Sequence, residues 1–152
     1  MAGGKMSGKD FGLLVLRLAL GGIMIANGVW TLRVVGVDGF ADMLANMGLG
    51  GPSPKGMAIA VLAGEIGGGA LVVLGLMAQL GALAIAAVMV GAIAKVHWQY
   101  GFFLQKKITE AGDVHNGVEY CVALLAMALC ILFAGPGAMA IRLKKGGGKP
   151  PG

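Results

Sequence analysis

The sequence predicts an all-α integral membrane protein built as a bundle of four transmembrane helices. Its composition is 57% hydrophobic and only 12% charged, whereas a soluble domain carries about 25% charged residues. Four apolar stretches of about 20 residues each are long enough to cross a hydrocarbon core of about 30 Å as helices. Membrane strands would have to close into a barrel, and the alternation of apolar and polar residues that marks barrel strands is absent.

The predicted transmembrane helices follow these apolar stretches in order. The second and third are joined at Met77-Ala78-Gln79, which leaves room only for a tight hairpin, so these two helices are antiparallel neighbours. The 29 glycines of so apolar a chain predict close helix contacts in lipid. The four predicted helices cover residues 11–31, 57–77, 79–98 and 117–135.

The first of these helices also has features of a secretory signal peptide, because Lys5 and Lys9 precede an apolar run. The run is too long for a signal peptide and Arg17 interrupts it, so we expect a retained helix. The helices and their loops predict a single transmembrane domain over residues 1–141, and residues 142–152 predict a flexible basic tail.

The distribution of basic residues predicts the orientation of the bundle. Six of them flank the two chain ends, while those of the other compartment are diluted by acidic residues, so both termini are predicted to be cytoplasmic. This orientation accounts for the net charge of +5, and no nucleic-acid partner is expected. The six flanking residues are Lys5, Lys9, Arg142, Lys144, Lys145 and Lys149.

The first outer loop is predicted to contain a short amphipathic helix. Four apolar residues recur there at helical spacing, and the segment from Gly48 to Pro54 then ends the helix. Such a helix lies on the outer interface, or it simply covers the ends of the transmembrane helices. The four apolar residues are Phe40, Met43, Leu44 and Met47.

Six polar residues lie within the predicted spans, where ionisable groups are costly and usually face a bundle interior or a water-filled cavity. We therefore predict a polar interior formed by these residues. Its candidate residues are Arg17 and Asn27 in the first helix, Glu65 in the second, Lys95 and His97 in the third and Glu119 in the fourth.

Depth within the membrane suggests which of these residues meet. If the middle of each span lies at the bilayer centre, Arg17 is about 5 Å to the cytoplasmic side and Glu65 about 3 Å to the outer side. An arginine side chain can bridge that gap, so we predict an Arg17–Glu65 pair and a second pair, His97–Glu119, nearer the outside. In the alternative, the pairs only hold helix register, and Lys95 only extends to the headgroups.

The chain contains no self-contained motif for a redox cofactor, a metal or catalysis, and whether it is an enzyme stays open. Haem b usually needs a pair of axial histidines, and the two histidines here are His97 near a helix end and His115 in a loop. Iron–sulfur and zinc sites need clustered thiolates, whereas Cys121 and Cys130 are nine residues apart on one helix, about 13 Å. No metal site is expected.

Several segments together resemble the DoxX family of small four-helix membrane proteins: LRLALGGIMIANG, AGEIGGGALVVLGL, VHWQYGFF, GVEY and AGPGAMAI. The resemblance extends over about residues 10–141. One departure is that the family commonly carries His-Gly followed by a lysine in the first helix, where this chain has Asn27-Gly28 and Trp30-Thr31. The resemblance implies a multi-pass protein of the bacterial cytoplasmic (inner) membrane, associated with thiosulfate:quinone oxidoreductase or with complexes that handle thiols and oxidants.

The expected function is that of a membrane-anchor subunit of a redox complex, with a quinone-facing or proton-handling interior. Its partners are then membrane lipid and other membrane or redox subunits, and quinone is the one cofactor considered. Two alternatives stay open, namely a non-catalytic structural subunit of a larger assembly and a small carrier of solutes or protons. No inverted repeat, such as carriers commonly contain, is visible in the sequence.

Overall fold

The computed structural model describes residues 7–103, 107–108, 114–115, 117–137 and 139–141. These residues are mainly helical, and they include one antiparallel pair of two-residue strands, β1 (Lys107–Ile108) and β2 (Val114–His115), in the loop before the last helix. The helices are α1 (Gly8–Val34), α2 (Gly36–Asn46), α3 (Pro54–Leu62), α4 (Gly68–Leu74), α5 (Ala78–Ala92) and α6 (Glu119–Ala134).

Two turns of π-helix extend these elements into longer rods. Ala63–Gly67 joins α3 to α4, and Ile93–His97 continues α5 into a 3₁₀ turn at Trp98–Tyr100. The rod formed by α3 and α4 begins after Ser53, whose hydroxyl accepts a hydrogen bond from the backbone N–H of Gly56 at 3.2 Å. Serine before the first turn of a helix is a favoured cap, because its oxygen pairs an otherwise unpaired N–H.

Among the described residues, three helical rods are long and apolar enough to cross a membrane: Gly8–Val34, Pro54–Leu74 and Ala78–Tyr100. The all-α membrane class is therefore confirmed. α6 is also apolar but has 16 residues, about 24 Å, which is less than the hydrocarbon core of about 30 Å. It begins two residues later and ends one residue earlier than the predicted span 117–135, so a fourth full crossing stays a prediction.

The hairpin between α4 and α5 turns slightly earlier than predicted. Gly75 (φ +73°) and Met77 (φ 51°) adopt left-handed backbone conformations, and α5 begins at Ala78. The two helices then run antiparallel, with a Cβ built on Gly81 lying 2.6 Å from the carbonyl oxygen of Gly68. Any side chain at that position would collide with the neighbouring backbone, which confirms that glycines allow close helix contacts here.

α1 packs against α4 in the same way, and α6 completes the bundle on the far side of α5. A Cβ on Gly69 would lie 2.8 Å from the carbonyl oxygen of Gly21. The main core lies between α1, α4, α5 and α6, and it is formed by side chains with almost no exposed surface. They include Leu20, Met24, Val72, Ile85, Leu124 and Ile131.

The predicted amphipathic helix is confirmed as α2, which begins at Gly36 and ends at Asn46, before the predicted break. Phe40 and Leu44 are buried against α3, where they form a second small core, whereas Met43 and Met47 are 40% and 41% exposed. α2 therefore covers the first turns of α3. We call this end of the bundle, which also holds Gly101, the loop end, and the opposite end, with the Gly75–Met77 turn, the hairpin end.

Candidate functional site

Arg17 is the most deeply buried polar residue of the described chain, with 1% of its surface exposed. Its guanidinium donates three hydrogen bonds to backbone carbonyl oxygens: Nε to Val72 at 2.8 Å, Nη2 to Val73 at 2.9 Å and Nη1 to Pro136 at 2.9 Å. All three acceptors lie at the hairpin end. The predicted Arg17–Glu65 pair is therefore wrong.

The end of α4 and the segment that follows α6 both present backbone carbonyl groups to Arg17. The last carbonyl groups of a helix have no partner within it and carry partial negative charge, which a cation stabilises. α4 ends at Leu74, and a Cβ on the following Gly75 would overlap the Arg17 guanidinium. The carbonyl of Leu74 accepts a hydrogen bond from the N–H of Ile141 at 3.3 Å. Arg17 thus caps α4 and ties the segment after α6 to the bundle.

Glu65 lies in the π turn between α3 and α4 and is partly buried. It faces α1 at Gly28, where a Cβ would lie 3.3 Å from the carboxylate Oε2. Gly28 follows Arg17 by eleven residues, which is about 16 Å along α1. Within the part of the chain that the structure describes, no hydrogen bond or ion pair involves the Glu65 carboxylate.

The position of Glu65 relative to the two ends is set by the helix contacts. The adjacent Gly64 faces Val88 of α5, whose Cγ2 lies 3.0 Å from a Cβ built on Gly64. His97 is nine residues beyond Val88, about 13 Å. Arg17 and His97 are then about 30 Å apart along the bundle, and Glu65 lies near the midpoint between them.

This registration explains why the predicted pair failed. The prediction took the middle of every span as the bilayer centre, but the first two and a half turns of α1 extend past the Gly75–Met77 turn. Arg17 therefore lies at the hairpin end, about 16 Å along the bundle from Glu65. The hydrogen bonds from Arg17 to α4 are consistent with this position of α1 along α4, and the lengths of the apolar runs cannot predict it.

The loop end gathers other candidate residues. Asn27 donates a hydrogen bond from Nδ2 to the hydroxyl of Tyr120 at 3.4 Å, which links α1 to the first turn of α6. The backbone N–H groups of Val118 and Glu119 donate to the carbonyls of Gly101 and Phe102 at 3.0 and 2.9 Å. These bonds fix the start of α6 beside the end of the α5 rod, which brings Glu119 and His97 to the same end of the bundle.

Burial divides the six candidates and corrects the predicted polar interior. Arg17 is buried, Glu65 and His97 are partly buried, and the other three are exposed on the helix surfaces. Asn27, Lys95 and Glu119 are thus not interior residues. The His97–Glu119 pair stays a prediction. Tyr120 was missed as a partner, and its position beside Glu119 was the one available clue. Among the described residues, no three His, Cys, Asp or Glu side chains are grouped as a metal site requires.

Comparison with known proteins adds one family assignment. The sequence model of the DoxX family matches residues 12–98, which is more than half of the chain. The match includes five of the six candidate residues and ends before Glu119 and α6. No curated protein matches the chain, and no solved structure matches it.

Proposed function

The chain belongs to the DoxX family, and from that premise we propose that it is a membrane-anchor subunit of a redox complex in a bacterial cytoplasmic membrane. In this proposal Glu65 binds the headgroup of a quinone and exchanges protons with it. The observation that carries the proposal is the Glu65 carboxyl group, which has no hydrogen bond or ion pair within the described residues and lies about midway between Arg17 and His97 along the bundle. Ionisable residues within transmembrane segments usually mark ion, proton or substrate pathways.

The local backbone supports a binding role for Glu65. π-Helical turns inside α-helices are rare and frequently occur at functional sites, and Glu65 lies at the centre of the turn Ala63–Gly67. On the facing helix, Gly28 brings a backbone without a side chain against the carboxyl group. A carboxylic acid in an apolar site can donate a hydrogen bond to a quinone carbonyl oxygen, and it can supply or accept the proton that accompanies each electron.

The electrons must travel through another subunit. This chain has two histidines and two cysteines, too few in suitable positions for a haem or an iron–sulfur cluster. A quinone bound here therefore needs an electron donor in a partner chain. For that reason we propose an anchor subunit rather than a complete oxidoreductase.

The second candidate function is a non-catalytic structural subunit, and Arg17 favours it. The buried arginine is fully explained by carbonyl acceptors of its own chain, so one of the two interior charges has a structural role. If Glu65 acts similarly, its partner is a residue of another subunit. The two candidate functions differ in whether the isolated chain binds a quinone.

The test uses the full chain in lipid nanodiscs with a short-chain quinone. We expect the quinone to raise the thermal unfolding temperature of the wild type, and Glu65→Leu to weaken binding about tenfold, as expected for one lost hydrogen bond. Asp42→Asn, which changes an exposed carboxylate of α2, is the control and should bind as the wild type does. If the wild type gains no stability, or if Glu65→Leu binds equally well, Glu65 is not a quinone site.

A further inference from the structure

The chain turns back across the hairpin end after α6. The helix ends at Ala134, and Gly135 (φ +80°) and Gly137 (φ +75°) then adopt left-handed backbone conformations. Such conformations do not continue an α-helix, and glycine adopts them readily. A Cβ built on Gly137 would lie 3.3 Å from the side chain of Leu13 in α1. The chain after α6 therefore lies against α1 instead of continuing along the axis of α6.

Two hydrogen bonds fasten this part of the chain to the bundle. Arg17 donates to the carbonyl oxygen of Pro136 at 2.9 Å, and the backbone N–H of Ile141 donates to the carbonyl oxygen of Leu74 at 3.3 Å. The fastened segment thus begins beside α1 and ends at the last residue of α4. We call its six described residues, 135–137 and 139–141, the strap.

The end of the strap lies at a membrane surface. Two of the rods that can cross a membrane are Pro54–Leu74 and Ala78–Tyr100, so the short turn between them marks the place where the chain leaves the membrane and re-enters it. Because Ile141 is hydrogen-bonded to Leu74, the residues that follow Ile141 start at this surface. A lipid surface also covers the apolar side chains that are exposed there, which water would leave as an apolar patch. These side chains and their exposed fractions are Met77 58%, Met139 52% and Ile141 56%.

The sequence after the strap is strongly basic. Four of the eight residues 142–149 are basic, and the chain contains no acidic residue after Glu119. Among the described residues of the hairpin end, Asp10 is the one carboxylate. Clusters of about four to eight lysines and arginines beside a transmembrane helix are typical of segments that bind anionic lipid. The four basic residues are Arg142, Lys144, Lys145 and Lys149. Their charge is complementary to a surface that carries negative phosphate groups.

We propose that residues 142–149 bind the headgroups of anionic phospholipids at the surface where the strap holds the start of this segment. Soluble polyanions such as nucleic acids also match the charge. The strap, however, brings the start of the segment to the membrane, where the negative surface potential attracts basic residues within about 10 Å. The contact does not involve Glu65, and it holds whether or not the chain serves a redox complex.

The experiment measures which lipids stay bound to the full chain. The chain is placed in nanodiscs of phosphatidylglycerol and phosphatidylcholine with identical acyl chains, and the lipids retained after release are counted by native mass spectrometry. We expect the wild type to retain phosphatidylglycerol in preference to phosphatidylcholine, and we expect this preference to fall as salt screens the charges. One basic residue near an anionic surface changes binding about fivefold. Lys144→Gln together with Lys145→Gln should therefore weaken phosphatidylglycerol binding by up to about 25-fold, and replacement of all four basic residues by Gln should remove the preference.

A matched control removes the same number of charges from the opposite end of the bundle. Acidic residues lie nearby in the sequence there, so the control variant should keep the preference for phosphatidylglycerol. Thermal unfolding in detergent checks that all variants are folded. The control replaces Arg33, Lys55, Lys106 and Lys107 by Gln.

Three results would overturn the proposal: equal retention of the two lipids by the wild type, an unchanged preference in the variant that lacks all four basic residues of the tail, or an equal loss of preference in the control. The first result would assign the basic residues to a soluble acidic partner instead.

Discussion

Replacement of Arg17 by methionine tests whether the guanidinium is the main polar tie at the hairpin end. Methionine keeps an unbranched apolar stem but removes the three donors to Val72, Val73 and Pro136. Hydrogen bonds within membrane bundles contribute about 0.6 kcal/mol on average and up to about 1.7 kcal/mol. The charged donor and the full burial of Arg17 favour the upper part of that range for each of the three bonds, so we expect a loss of about 4 kcal/mol in the free energy of unfolding.

Equilibrium unfolding of the full chain in mixed micelles measures this loss. Arg17→Lys keeps the charge, but one ammonium group cannot replace a planar fork that reaches two segments, so we expect an intermediate loss. Arg33→Met removes an exposed cation from the other end of α1 and should change stability by less than about 0.5 kcal/mol. If Arg17→Met is as stable as Arg33→Met, the three hydrogen bonds do not hold the hairpin end together.

The same assay tests the separation of Arg17 from Glu65. Arg17 and Glu65 are about 16 Å apart along the bundle and share no partner. The effects of Arg17→Met and Glu65→Gln on the free energy of unfolding should therefore add within about 0.5 kcal/mol. If the double variant loses much less stability than the sum of the two single losses, Arg17 and Glu65 interact directly and the separation described here is wrong.

Three further predictions concern packing and capping. Gly69→Ala should destabilise the chain by about 1–3 kcal/mol, because its Cβ would lie 2.8 Å from a carbonyl oxygen of α1, whereas Gly22→Ala, with nothing within 4 Å, should stabilise it. Gly117→Ala should loosen the start of α6, since a Cβ there would lie 2.6 Å from the Gly101 carbonyl oxygen; faster amide exchange in the first turn of α6 would report this. Asn27→Leu and Tyr120→Phe should show a coupling of about 0.5–1.5 kcal/mol in a double-mutant cycle, and strict additivity would mean that their hydrogen bond contributes nothing.

Much of the fold follows from the sequence because membrane helices are specified by local properties. Apolar run length and the short Met77-Ala78-Gln79 connection were enough to predict the long helices and the antiparallel hairpin. The spacing of Phe40 and Leu44 was enough to predict α2. The π turns could not be predicted, since one added residue per turn leaves no mark in the hydropathy pattern. The start of α6 is held by backbone hydrogen bonds to Gly101 and Phe102, and the sequence pattern does not display such contacts between separate segments.

The candidate site was predictable in its residues and not in its partners. Rarity in an apolar context is enough to select Arg17 and Glu65 as unusual. Their partners depend on how far α1 slides along α4, and backbone carbonyls compete for an arginine as well as carboxylates do. A sequence displays side chains but not the carbonyl groups at a helix end, so the Arg17 acceptors could not be seen in it.

The separation of these two residues constrains what Glu65 can do. At about 16 Å and an effective dielectric constant of about 20, a positive charge at Arg17 lowers the energy of a carboxylate at Glu65 by only about 1 kcal/mol. Removing an isolated carboxylate from water costs far more than that. Arg17 therefore does not neutralise Glu65. Within the residues described, no other cation does so either. The proposed function assigns the neighbouring group to a quinone headgroup, and quinone binding by the wild type and by Glu65→Leu decides whether that assignment is correct.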